Sequence, residues 1–254
     1  MKEPLSLPTI KHIISVSSGK GGVGKSTIAF HLAHTLSDRK SLSVGLLDAD
    51  IYGPSIPTLI GNNEVPSMKN NRFIPLMSSH LKTMSIGFLI DPKSPIIWRG
   101  LLVQKALRQL LEDVEWGELD LLIVDMPPGT GDIPLTLHQW VPLSGGIIVS
   151  ISDPLSWADA YKGRQMLKKM SIPFMGYVEN MSHVGCPHCH QSISLVEKSF
   201  VEAEAKKEGD PFLGSIPFDR SLRFGESLSK GNETLFSQIA ENVLDFLKSK
   251  PGPS

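Results

Sequence analysis

An apolar, β-branched run, Ile13-Ile14-Ser15-Val16, leads into Gly19-Lys20-Gly21-Gly22-Val23-Gly24-Lys25-Ser26-Thr27, and apolar residues then recur at helical spacing in Ile28, Leu32 and Leu36. No other feature constrains the chain as much, because it demands a buried strand, a glycine-rich turn and a helix in immediate succession. Gly19, Gly24, Lys25 and Ser26 satisfy G-x-x-x-x-G-K-[ST] in the strand–loop–helix context that pattern requires. Glycines let consecutive backbone N–H groups turn inward, and the helix beginning near Lys25 adds the positive end of its dipole, so the loop suits phosphate oxygens. Lys25 is expected to reach the β- and γ-phosphates and the Ser26 hydroxyl to ligate Mg²⁺, which makes ATP the expected ligand.

Short apolar runs alternate with helical patterns along the rest of the chain. Strands are expected at residues 12–17, 43–48, 121–125, 146–151, 174–179 and 212–216, and helices at 101–111 and 235–247. Near-continuous hydrophobicity in the strands fits burial on both faces, so the fold class is α/β: a doubly wound, mostly parallel sheet flanked by helices. One P-loop domain is expected over residues 1–254, with apparent insertions at 73–85, a hairpin around Ser78-Ser79-His80, and at a C-x-x-C loop near 183–196. Residues 248–254 read as a disordered tail.

Composition narrows the partners. The net charge of −1 offers no basic field for nucleic acid or an anionic membrane, and no apolar run approaches the ~20 residues of a membrane helix. A cytoplasmic chain is expected, or a mitochondrial-matrix one if a targeting segment was removed. Two cysteines, Cys186 and Cys189, are too few for a secreted disulfide framework.

Two carboxylate-bearing strand ends stand where ligands of parallel α/β sheets bind. The first is Asp48-Ala49-Asp50 after Leu46-Leu47; the second is Asp125 after Leu121-Leu122-Ile123-Val124, the arrangement that delivers one carboxylate to a metal. Met126-Pro127-Pro128-Gly129-Thr130-Gly131-Asp132 follows as a turn able to reposition when a γ-phosphate leaves. Each aspartate has a plain alternative as a turn or cap residue, Asp132 most of all because a helical segment, 135–140, follows it.

Lys20, a second lysine ahead of the usual one, resembles the deviant phosphate loop of MinD-like ATPases, whose lysine reaches across a dimer to the partner's nucleotide; the plain alternative is a solvated surface lysine. Further strings look like those of the Mrp/ApbC family of iron–sulfur carrier ATPases: Asp48-Ala49-Asp50-Ile51-Tyr52-Gly53-Pro54-Ser55, Trp98-Arg99-Gly100, Trp116-Gly117-Glu118-Leu119-Asp120, Val124 through Asp132, and Glu179-Asn180-Met181-Ser182 followed by Cys186-Pro187-His188-Cys189. The resemblance spans residues 12–224. It implies a homodimeric ATPase that carries a labile cluster to apo iron–sulfur proteins. It further implies that Asp50 orients the hydrolytic water, that Ser26, Asp50 and Asp125 stand on the Mg²⁺ side, and that Asn180 with Pro217-Phe218-Asp219 contacts adenine. One departure stands out: the family's Phe-Gly-rich stretch after C-x-x-C is replaced here by Ile193-Ser194-Leu195-Val196.

A [4Fe–4S] cluster usually takes four thiolates, and a two-fold dimer of this chain supplies four, so Cys186 and Cys189 from each subunit could share one bridging cluster. Zinc remains open, held with His183, His188 or His190 or by four cysteines across the dimer, as does a thioredoxin-like redox pair. Beyond the carrier, a partition-type spatial organiser would need a basic helix face, which the Glu241- and Asp245-bearing stretch 235–247 lacks, and a small-molecule kinase would need an acceptor site and lid.

Overall fold

The computed structural model describes residues 5–39, 42–90, 100–186, 188–189, 191–194, 200–222 and 228–249. The elements are β1 (Ile10–Ser18), α1 (Lys25–Ser37), β2 (Val44–Asp48), α2 (Ile56–Ile60), β3 (Met68–Lys69), β4 (Arg72–Phe73), β5 (Leu76–Ser78), β6 (Leu81–Ser85), α3 (Gly100–Glu112), β7 (Leu119–Asp125), α4 (Asp132–Trp140), β8 (Gly145–Ile151), α5 (Pro154–Lys169), β9 (Phe174–Asn180), β10 (His183–Gly185), β11 (Ser192–Ser194), α6 (Phe200–Glu208), β12 (Phe212–Ser215) and α7 (Lys230–Lys248).

Eight strands form one sheet in the order β12-β9-β8-β1-β7-β2-β6-β5, parallel except at the β5 edge. Side-chain alternation along β1 divides the core. Ile14 and Val16 join α1 and α7 on one face, whereas Ile13 joins α3 and α4 on the other. Ile148 of β8, opposite Ser17 of β1, lies on that second face beneath α5 and α6. The α/β class expected from alternating strand and helix patterns is therefore the observed one, and all six expected strands are present in it.

Two elements differ from expectation. The 73–85 segment does turn back at Ser78-Ser79-His80, but it is no insertion: β6 pairs in parallel with β2, from Gly45↔Lys82 to Asp48↔Ser85. Lys82 masked the strand's place in the main sheet because a lysine reads as surface; its Nζ donates to the Trp116 carbonyl at 2.6 Å, while Leu81 and Met84 of the same strand are fully buried. Two residues read as part of the tail belong to a helix end: Lys248 closes α7 and Ser249 caps it through N–H bonds to the Asp245 and Phe246 carbonyls; residues 250–254 lie outside the described residues.

Helix α7 shows why its sequence is acidic and apolar rather than basic. Phe236, Ile239, Ala240, Val243 and Leu247 are buried, the larger ones contributing about 1.5–3 kcal/mol each, while Glu241 pairs outward with Arg39 at 2.7 Å. Its apolar stripe is spent on the core. Among the described residues no helix is long and apolar enough to cross a membrane.

Candidate nucleotide and metal sites

The carboxyl ends of β1, β2 and β7 open on a cavity of about 430 Å³, lined by Gly21, Gly22, Gly24, Lys25, Ser26 and Thr27 on one wall and by Asp50, Gly53, Pro54, Ser55, Thr58 and Leu59 on the other. Close approach of neighbouring atoms calls for glycine at two loop positions. A Cβ on Gly19 would lie 2.3 Å from the Asp159 carbonyl carbon in α5, and Gly24, with φ 84°, would meet Asn180 Nδ2 at 2.2 Å. Gly19 and Val23 anchor the loop by packing: neither lines the cavity, and Val23 is buried.

Lys25 is buried between two carboxylates. Its Nζ lies 2.5 Å from Asp125 Oδ1 and 3.8 Å from Asp50 Oδ2, and donates to Ser26 Oγ at 3.3 Å. Burial pushes the pKa of Asp125 up, opposed by the Lys25 ammonium beside it. Asp125 Oδ2 is buried without a hydrogen-bond partner, an oxygen of the kind a hard cation takes up. Ser26 and Asp125 thus fit a Mg²⁺ site, with Asp50 across the cavity.

The aspartate pair at the end of β2 divides. Asp50 lines the cavity, but Asp48 is fully buried and its pKa is pushed up to about 7 by burial and by neighbouring Asp125. Asp132 is not a cap: Gly131 holds that position and Asp132 is the first residue of α4. The turn before it is tied to the phosphate loop's strand by Gly129 N–H donating to the Ser18 carbonyl at 2.8 Å.

Lys20 is paired within its own chain, donating to Asp153 Oδ2 at 3.2 Å. Asp153 is also the N-cap of α5, accepting from Ser156 N at 2.7 Å, and that amide foremost holds its carboxyl below the usual range. Sequence reasoning missed Asp153, although Asp before Pro-Leu-Ser-Trp is a legible helix start.

The residues expected at adenine do not themselves line the cavity. Asn180 donates from Nδ2 to the Val23 carbonyl at 2.9 Å and so braces the phosphate loop from behind, leaving its buried Oδ1 without a partner. Pro217 and Asp219 belong to a turn whose Phe218 N–H donates to the His183 carbonyl at 2.8 Å, with Asp219 Oδ1 accepting from Ser221 N at 2.8 Å.

Beyond Asn180 the chain enters the β10–β11 hairpin, which carries the cysteines at its tip. Cys186 N–H donates to the Gln191 carbonyl at 2.9 Å; Cys186 is half-buried and Cys189 exposed, and both are free. Backbone amides of Cys189 and His188 hold the Cys186 thiol below its ordinary pKa. The departure at Ile193-Ser194 takes a definite form: β11 returns along β10, Ile193 opposite Val184. Leu195, Val196, Pro187 and His190 lie outside the described residues, as do Trp98 and Arg99. Among the described residues no group of three or more His, Cys, Asp or Glu gathers in a way that could hold a metal. His183 instead shares a 2.9 Å contact between Nδ1 and Ser182 Oγ.

Comparison with known proteins places these features. The ParA family model described as NUBPL iron-transfer P-loop NTPase matches residues 9–249. The iron–sulfur cluster transfer protein NUBPL of Dictyostelium discoideum is 47% identical over 251 residues, covering 96% of this chain and 77% of that protein. The iron–sulfur cluster carrier protein of Escherichia coli K12 is 44% identical over 231 residues, 90% of this chain and 62% of that one. Among solved structures, a nucleotide-binding protein of Archaeoglobus fulgidus in complex with ADP superposes with a TM-score of 0.74 at 33% identity, over 97% of this chain and 91% of that one. The MinD cell-division ATPase of Pyrococcus furiosus, at 20% identity and a TM-score of 0.64, shares the fold over 92% of this chain and 99% of that one.

Proposed function

Because the chain belongs to the NUBPL iron-transfer P-loop NTPases of the ParA family, we propose that it is an ATP-hydrolysing homodimer that carries a labile [4Fe–4S] cluster as cargo and hands it to apo iron–sulfur proteins. The observation that carries this reading is a mismatch of ligand number. One chain offers two thiols on an exposed hairpin tip, with no third ligand gathered among the described residues, whereas a cluster takes four. Two copies meeting about a two-fold axis supply the set.

At the nucleotide, catalysis is positioning plus charge neutralisation. Lys25 exchanges its carboxylate partners for the β- and γ-phosphate oxygens, and the loop amides hold the remaining oxygens. Asp50 orients the water that attacks the γ-phosphorus as the bond to the β–γ bridging oxygen breaks, leaving ADP and phosphate. Lys20 leaves Asp153 to stabilise that charge on the partner's nucleotide. Mg²⁺, when bound by Ser26 and Asp125 with Asp50 nearby, supplies neutralisation of the β- and γ-oxygens. Asn180, Pro217 and Asp219 take the adenine side.

Apo iron–sulfur proteins are the partners in this reading; nucleic acid and membrane are not. A spatial-organiser role is disfavoured because the apolar stripe of α7 is buried rather than free for a membrane. A reducing compartment, cytoplasm or mitochondrial matrix, suits free thiols and an exposed cluster. Incubating the anaerobically reconstituted protein with apo-ferredoxin tests the proposal: the acceptor should gain its cluster spectrum while the carrier loses its own. Retention of the metal by the carrier in the presence of a competent acceptor would refute the carrier role.

A further inference from the structure

Asp48 ends β2 at full burial, in register with Ser85 of β6 on one side and Asp125 of β7 on the other. Its carboxylate faces the following loop rather than the cavity. Oδ1 accepts from Asp50 N at 3.1 Å; Oδ2 accepts from Ser55 N at 3.1 Å, Ile56 N at 3.2 Å and Ser85 Oγ at 2.9 Å. Three of the four donors belong to the 50–56 segment, which carries Asp50 and forms the cavity wall opposite the phosphate loop. The fourth anchors the carboxylate to the neighbouring strand. Ser85 in turn accepts from Gly87 N at 3.0 Å, and Gly87 sits so close to Pro54 and Pro57 that a Cβ there would lie 3.0 and 2.8 Å from their side chains.

We propose that Asp48 is a positioning residue for hydrolysis, fixing the 50–56 loop and thereby the Asp50 carboxylate without itself touching nucleotide. The proposal rests on the reading of Asp50 as the group that orients the water. A carboxyl group with an acceptor oxygen on each side matches donors that converge from the loop on Oδ1 and Oδ2 alike. An asparagine amide facing Ser55 and Ile56 would leave two backbone N–H groups without an acceptor; flipped, it would face Asp50 N–H with its own donor. In either orientation the loop loses a fixed point two residues from Asp50. Displacement of a water-orienting group by an ångström is enough to slow chemistry on the order of 100-fold.

The test compares Asp48→Asn, Ser85→Ala and Asp50→Asn with the unmodified protein in ADP affinity, in KM for ATP, and in kcat normalised to active sites titrated with a fluorescent ADP analogue. Asp48→Asn should lower kcat roughly 10–100-fold while leaving the ADP dissociation constant within about threefold, because the phosphate loop is untouched. Ser85→Ala should lower kcat by a smaller factor of about three, again without an effect on ADP. A merely structural role would reduce the fraction of titratable sites and leave kcat per site intact, and that result overturns the proposal. So does a loss of ADP affinity equal to the loss of kcat. If Asp48→Asn fails to fold, Ser85→Ala decides, an unaltered kcat per site counting against the proposal. Asp50→Asn separates the two readings: full turnover there sinks the assignment of Asp50, whereas a dead Asp50→Asn beside unaltered Asp48→Asn and Ser85→Ala sinks only the role of Asp48.

Discussion

Lys20 Nζ stands 3.2 Å from Asp153 Oδ2 of the same chain, so the extra lysine of the phosphate loop is paired with the N-cap of α5. Both side chains are about one-third exposed, and solvent screens such a pair enough for it to be exchanged for a phosphate. Lys20→Ala should therefore leave ADP binding by the monomer within about threefold of the parent while depressing ATP hydrolysis by the dimer. Calorimetry and phosphate release check the two halves. A loss of ADP affinity as large as that of Lys25→Ala would contradict action across the interface.

Lys25→Ala should remove ATP binding, because no other loop group reaches the β- and γ-phosphates as a point charge. It should also weaken the nucleotide-free fold. Asp125 is fully buried 2.5 Å from the ammonium, and leaving such a charge uncompensated costs about 3–5 kcal/mol. Urea unfolding of Lys25→Ala and of Lys25→Ala/Asp125→Asn tests this, the double variant being expected to recover part of the loss.

Much of this was legible in the sequence for a physical reason. Gly19 to Thr27 permits little besides a strand–loop–helix turn, and fully buried parallel strands such as Ile13-Ile14 and Leu121 to Val124 leave an unbroken apolar trace. Strand β6 did not, because Lys82 interrupts the pattern and its ammonium finds a hydrogen-bond acceptor in the Trp116 carbonyl, 34 residues later. The division between Asp48 and Asp50 was equally hidden. Two residues apart on a strand end they look equivalent, and only the fold brings Ser85 and the Ser55 amide to one of them. Asn180 was read as an adenine contact from resemblance, while its bond to the Val23 carbonyl depends on β9 lying behind the phosphate loop.

Asp50→Asn should retain Mg·ATP and lose turnover, since the amide keeps the shape without the carboxylate. Asp125→Asn should shift the Mg²⁺ requirement upward, because the buried oxygen without a partner is on that residue. Mg²⁺ titrations of hydrolysis and of nucleotide binding separate the two, and superimposable profiles would contradict the division.

His31 sits in α1 against Phe236, ring centroids 5.3 Å apart, with Nε2 3.3 Å from the Leu222 carbonyl. Burial holds its pKa down at about 4 against 6.5 for an exposed imidazole, so the folded chain keeps it neutral. Between those values the unfolded chain binds a proton that the folded chain refuses. The contribution is full above pH 6.5 and is lost as the pH falls towards 4, by up to about 1.4 kcal/mol per pH unit. His138, also depressed by burial, acts in the same direction. Urea midpoints measured from pH 4.5 to 7 should rise with pH, and His31→Gln should flatten the slope. An unchanged slope would mean that His31 is protonated in the fold.

The central claim is that the two cysteines of each subunit share one cluster across a dimer. Anaerobic reconstitution followed by iron, acid-labile sulfide and zinc analysis, with the dimer isolated by gel filtration, tests it most directly. The account predicts about four irons and four sulfides per dimer, and loss of both in Cys186→Ala and in Cys189→Ala, each of which leaves two thiolates where four are needed. ATP hydrolysis by these variants should persist, because the phosphate loop and the cysteine hairpin are separate pieces of the chain. One tightly held zinc per subunit, without labile sulfide and indifferent to dissociation of the dimer, would contradict the account.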